Sequence, residues 1–127
     1  MPYRVGTDLV AVETIAESVR THGERYLARI FTAQELADCD GAPERLAARY
    51  AAKEATLKIL RPGPDDSIPW NEIEVVRDSA GWVELALRGR AAEHAAVTGI
   101  GGFSVSLTHE AAYASAVVIA ELRGTND

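Results

Sequence analysis

The stretch Pro43-Glu44-Arg45-Leu46-Ala47-Ala48-Arg49-Tyr50-Ala51-Ala52-Lys53-Glu54-Ala55-Thr56-Leu57-Lys58-Ile59-Leu60 decides the fold. It is rich in Ala, Leu, Lys, Glu and Arg, the residues that cost least to hold in a helix. Pro43 suits the first helical turn, where its missing N–H has no partner to lose. Pro62-Gly63-Pro64 ends the run. The stretch therefore reads as a helix from Pro43 to Leu60. Tyr50, Glu54 and Lys58 recur every four residues and share one face. Arg49 and Lys53 form a neighbouring polar row. The alanines keep the helix slim enough for other backbone to approach closely. An ordinary reading also fits: Glu54 and Lys58 form a solvated pair worth about 0.2–0.5 kcal/mol.

On the N-terminal side, Tyr3 to Val12 reads as a strand in which Val5, Thr7 and Leu9 alternate with Gly6, Asp8 and Val10. Both faces are largely apolar, which predicts burial on both sides. Glu13 to about Arg29 turns helical in its spacing. Thr32 and Glu35 fit a capping box, in which each side chain satisfies a backbone N–H at a helix start. That opens a short helix to about Cys39. On the C-terminal side, a polar loop from Asp65 to Pro69 leads to a strand around Ile73 to Arg77. A turn at Asp78-Ser79-Ala80-Gly81 connects it to Trp82 to Leu87. A short helix from about Arg90 to Val97 follows, broken by Gly99 to Gly102. Phe103 to Leu107 and Tyr113 to Leu122 then alternate as two more strands. The whole reads as one α+β domain over residues 1–127, with a mostly antiparallel sheet packed on helices.

Composition narrows the functions. A chain of 127 residues with 47% apolar side chains suffices for a single core. Thirteen basic against nineteen acidic side chains leave a net charge of −6, which weighs against general nucleic-acid binding. The lone Cys39 excludes an internal disulfide and a thiolate-rich zinc site. No apolar run reaches the roughly eighteen residues of a membrane span. The opening Met1-Pro2-Tyr3-Arg4 has no signal-peptide apolar stretch, so the expected location is the cytoplasm.

Several residues are candidates for chemistry. Asp8 lies among Val5, Leu9, Val10 and Val12, and a carboxylate there needs a partner, a hydrogen bond or a metal. Capping a nearby helix or pairing with an arginine would satisfy it equally well. His22, His94 and His109 are far apart and show no zinc spacing. His22 and His94 read as surface residues, whereas His109 follows the alternating Ser104, Ser106 and Thr108 at a strand end. No phosphate-binding P-loop is present. Gly99-Ile100-Gly101-Gly102 lacks the flanking strand and helix of a dinucleotide loop. No Gly-x-Ser-x-Gly elbow appears.

Five blocks occur in order: Gly6-x-Asp8, Phe31-Thr32-x-x-Glu35-Leu36, Arg49-Tyr50-Ala51-Ala52-Lys53-Glu54-Ala55-x-x-Lys58, Trp70-x-x-Ile73-Glu74-Val75 and Ser106-Leu107-Thr108-His109. Together they resemble the holo-acyl-carrier-protein synthases, the small 4′-phosphopantetheinyl transferases, from Val5 to about Ala120. The resemblance implies transfer of phosphopantetheine from coenzyme A to a serine of an apo carrier protein, with release of adenosine 3′,5′-bisphosphate. It implies Asp8 and Glu54 as Mg²⁺ ligands, and Glu54 and Lys58 as the catalytic pair. Lys58 would lie near the pyrophosphate, with Arg49 and His109 at the nucleotide end of coenzyme A. It also implies a homotrimer with sites shared between subunits. The chemistry suits these residue types, because Mg²⁺ prefers oxygen ligands and commonly takes one or two carboxylates plus substrate phosphates. The serine nucleophile belongs to the partner, and the general base is either Glu54 or a metal-held water.

Two departures stand out. The family often has an acid three residues after Asp8 and a basic residue six after; here these are Ala11 and Thr14. Where the family commonly has a small Gly-Thr-Gly-type loop after Lys58, this chain has Ile59-Leu60-Arg61-Pro62-Gly63-Pro64, with fewer N–H donors; Arg61 is a candidate substitute. With Thr14 at the usual docking position, Arg20, Arg25 and Arg29 are the expected docking face for an acidic carrier of fatty-acid, polyketide or peptidyl type. Two other readings fit the sequence: a weakly catalytic binding module of the same fold for coenzyme A or a carrier, and a small coenzyme A thioesterase. The sequence reads without a long central helix wrapped by an unbroken sheet, which counts against the thioesterase.

Overall fold

Helix α3 (Pro43–Leu60) is the axis on which the rest of the protein is built. The computed structural model describes residues 2–123. In chain order the elements are β1 (Tyr3–Ala11), α1 (Val12–Ile30), α2 (Ala33–Cys39), α3, a 3₁₀ turn (Trp70–Glu72), β2 (Ile73–Arg77), β3 (Val83–Leu87), α4 (Gly89–Thr98), β4 (Ile100–His109) and β5 (Tyr113–Leu122). This is the expected α+β arrangement. The sheet is divided in two: β1-β5-β4, antiparallel throughout, and a separate β2-β3 hairpin.

Helix α3 buries Leu46, Ala47, Ala48, Ala51, Ala52, Ala55, Ile59 and Leu60. Its small residues let it lie close against β1 and the inner face of β5, where Ala114, Ala116, Val118 and Ala120 are buried. A second cluster, built from Val12, Ile15, Ile30, Phe31 and Leu46, fills the space under α1 and α2.

The expectation that β1 is buried on both faces is not met within one chain. Its inner face packs on α3, but Val5 and Leu9 are 61% and 67% exposed. Val5 pairs with Ile119, itself 40% exposed, so the outer face of the sheet carries an apolar patch. Helix α1 is also not continuous: Gly23 sits at φ 56°, ψ −136° and breaks it into two helical runs. Strand β4 begins at Ile100, inside the glycine stretch expected to lie between elements, and absorbs those glycines as a register shift between Gly101 and Ser104.

The capping box at Thr32 forms as expected, and it does more than start α2. The Thr32 N–H donates to Glu35 Oε1 (2.9 Å), and the Glu35 N–H donates to Thr32 Oγ1 (3.2 Å). The same carboxylate accepts Lys53 Nζ at 2.8 Å and the Val75 N–H at 2.9 Å. Glu35 thus ties α2, α3 and β2 together. Lys53, expected in a polar row, is completely buried. Burial holds its ammonium below the ordinary lysine range, and the neighbouring Glu35 opposes that shift.

Candidate functional site

The site begins with Gly6. A Cβ built there would lie 2.0 Å from the carbonyl oxygen of Ala55, so β1 can cross α3 at this point only as glycine. That crossing places Asp8 beside the last turns of α3. Lys58 Nζ donates to the Thr7 carbonyl at 2.7 Å and lies 3.6 Å from Asp8 Oδ1. The lysine therefore reaches across to β1, and the solvated Glu54–Lys58 pair does not form among the described residues. Asp8 finds a lysine rather than the arginine or helix cap of the ordinary reading. On the same helical face, the Tyr50 hydroxyl donates to Glu54 Oε1 at 3.4 Å. Burial pushes the Tyr50 phenol up to about 12, with Glu54 and Asp8 adding to the shift, so both carboxylates bear on one hydroxyl.

Asp8, Glu54 and Lys58 thus form one partly exposed group. No set of three His, Cys, Asp or Glu side chains among the described residues could cage a metal. Two hard carboxylates beside an open surface instead fit a cation that takes its remaining ligands from water and phosphate, as Mg²⁺ does. Lys58 adds a mobile positive charge at the same edge.

Arg49 and His109 lie elsewhere. They line an open cleft of about 450 Å³ together with Arg45, Arg77, Trp82 and Ser106. Within one chain the candidates expected to bind coenzyme A therefore split, with Lys58 in the first group and Arg49 and His109 in the second. Arg49 is 6% exposed; one of its nitrogens donates to the Arg45 carbonyl at 3.4 Å, and its Nε has no partner. Guanidinium groups, an imidazole and the exposed ring of Trp82 suit a phosphorylated aromatic ligand. Arg45, Arg77 and Trp82 were not singled out from sequence. They come from α3, the end of β2 and the β2–β3 turn, and no local spacing links them.

Other expectations are adjusted. His94, expected at the surface, is mostly buried, and its Nε2 lies 2.7 Å from the Leu60 carbonyl at the end of α3. In the altered loop the Gly63 N–H donates to Asp66 Oδ2 at 2.8 Å, so that donor is already engaged. Arg61 is exposed in the left-handed region at the helix end. Of the docking arginines, Arg25 and Arg29 lie together beyond the Gly23 break and are exposed. Arg20 lies before the break and pairs with Glu13.

Comparison with known proteins covers nearly the whole chain. The profile of the 4′-phosphopantetheinyl transferase superfamily matches residues 4–118. A holo-[acyl-carrier-protein] synthase of Chloroflexus aggregans is 44% identical, over 94% of this chain and 96% of that protein. The acyl carrier protein synthase of Mycobacterium tuberculosis is 36% identical over 93% and 96% of the two chains, with a TM-score of 0.71. The synthase–coenzyme A complex of Chronobacterium ammoniagenes is 29% identical over 98% and 100%, with a TM-score of 0.81. Helix α3 is the long central helix that a thioesterase would have, but the sheet against it is divided into three strands and two rather than unbroken. It is the full-length similarity to synthases that sets that alternative aside.

Proposed function

The chain belongs to the 4′-phosphopantetheinyl transferase superfamily and is a holo-[acyl-carrier-protein] synthase, and from that premise we propose that it transfers 4′-phosphopantetheine from coenzyme A to a serine of an apo acyl carrier protein and releases adenosine 3′,5′-bisphosphate. The observation that carries this is the convergence of Asp8, Glu54 and Lys58 where Gly6 lets β1 rest on α3. The partner's serine oxygen bonds to the phosphorus that carries pantetheine. The bond from that phosphorus to the bridging oxygen breaks, and the bridging oxygen leaves with the nucleotide. The serine proton passes to a Glu54 oxygen or to water. Asp8 and Glu54 would hold Mg²⁺, which when bound neutralises the charge growing on the leaving phosphate. Lys58, on its flexible stem, adds a point charge to the same phosphates. The arginines of the cleft beside His109 bind the nucleotide's phosphates, and Trp82 offers a face to its base.

Two observations support a homotrimer. Asp8, Glu54 and Lys58 lie apart from Arg49 and His109 in one chain, and the outer sheet face is apolar around Val5, Leu9 and Ile119. A cyclic assembly covers that face and brings one subunit's cleft to the next subunit's carboxylates. The carrier docks on Arg25 and Arg29. The proposed setting is the cytoplasm; no helix among the described residues is long and apolar enough to cross a membrane.

The test is incubation with coenzyme A, Mg²⁺ and apo carriers of fatty-acid, polyketide and peptidyl type, read by intact mass. At least one carrier should gain one phosphopantetheine, and a chelator should abolish the gain until Mg²⁺ or Mn²⁺ is restored. No gain on any carrier, or a gain indifferent to chelation, contradicts the proposal.

A further inference from the structure

Tyr50 stands between the buried core and Glu54. Its ring stacks on Trp70 with centroids 5.0 Å apart and planes 17° from parallel. Trp70 is itself anchored, because its carbonyl accepts Lys53 Nζ at 3.2 Å and that lysine is held by the buried Glu35 carboxylate. Packing alone would be served as well by a phenylalanine. The hydroxyl is what needs explaining, and it points to Glu54 Oε1 at 3.4 Å.

We propose that Tyr50 is a positioning residue for Glu54: the Trp70 stack fixes the ring, and the hydroxyl holds one carboxylate oxygen so that the other faces Asp8 in a cation-ready arrangement. This rests on reading Asp8 and Glu54 as cation ligands. A glutamate on a helix otherwise ranges over many rotamers and must be ordered each time a cation binds. At 3.4 Å the bond is long for a hydroxyl and a carboxylate, so its contribution is orientation more than strength. Outer-shell partners of ligating carboxylates act in this way at metal sites generally.

The experiment measures Mn²⁺ binding to the nucleotide-free full chain by the electron paramagnetic resonance of free Mn²⁺. It compares wild type, Tyr50→Phe, which keeps the stack and loses the hydroxyl, and Glu54→Gln as a control. Metal-free thermal midpoints are recorded in parallel. Tyr50→Phe is expected to raise the Mn²⁺ Kd about tenfold, with an unchanged metal-free midpoint. Equal Mn²⁺ affinity in wild type and Tyr50→Phe overturns the positioning role while leaving the carboxylates as ligands. A Kd that rises only with a falling midpoint assigns Tyr50 to structure and also overturns it. If the wild type binds Mn²⁺ only once coenzyme A supplies phosphate ligands, the same comparison is read in that complex, with the Mn²⁺ taken up by coenzyme A alone subtracted; failure to bind under both conditions refutes the ligand reading, and the positioning role with it.

Discussion

At position 6 the absence of a side chain is a structural requirement. Any Cβ there meets the Ala55 carbonyl at 2.0 Å, so Gly6→Ala must push β1 off α3. Overpacking of this kind costs about 1–3 kcal/mol, and it separates Asp8 from Glu54. Gly6→Ala should therefore lose at least about tenfold in transfer rate through geometry while the chain still folds, checked by circular dichroism beside the mass assay. Cys39 makes a different prediction. Burial pushes its thiol up to about 11 from an ordinary 9.0, with Arg49 opposing. Between those values the unfolded chain has lost the proton and the folded chain still holds it, so stability falls as pH rises. The fall attributable to this group is about 2–3 kcal/mol. Denaturant unfolding at pH 8.5 and 10.5 should show a smaller drop for Cys39→Ala than for wild type. Asp8 was readable from sequence because a carboxylate in an apolar strand needs a reason. Lys53 was not, because the carboxylate that buries it is 18 residues away in another helix.

At the scale of elements, helix spacing was legible where propensity and capping agreed, as in α3 and at Thr32. Gly23 was harder. A single glycine inside a helical pattern reads as tolerated, and only its φ of 56° shows two runs instead of one. That break bears on the proposed docking face. It separates Arg20, engaged with Glu13, from Arg25 and Arg29, which have no ion pair among the described residues. Acidic carriers should therefore be steered by the second run alone. Arg25→Glu should raise the carrier KM about tenfold or more and leave the coenzyme A KM within about twofold, because such charges govern encounter. Added salt should raise the wild-type carrier KM. Unchanged carrier KM in both experiments would place docking on another element. The split of the sheet into three strands and two was not legible either, since strand pairing across long separations leaves no local signature.

For the whole molecule, the alternation of β1 and β5 was plain in sequence, but an apolar outer face reads the same whether a second layer of one chain or a neighbouring subunit covers it. Ile119 is 40% exposed opposite Val5, so no layer among the described residues covers that face. On the proposed trimer, Ile119→Lys should shift light scattering to the monomer and reduce transfer sharply, because each site would then lack the neighbour's arginines. A wild-type monomer with full activity would show that one chain suffices. The central claim is that the Asp8–Glu54–Lys58 group carries transfer, and the most direct measurement is single-turnover labelling of an apo carrier with saturating coenzyme A and Mg²⁺, followed by intact mass. Asp8→Asn and Glu54→Gln should each remain folded, since the group is partly exposed and its ion pair with Lys58 contributes little to stability, and each should label at least about a hundredfold more slowly than wild type through lost stabilisation of the leaving phosphate. Labelling by either variant at close to the wild-type rate would contradict the account.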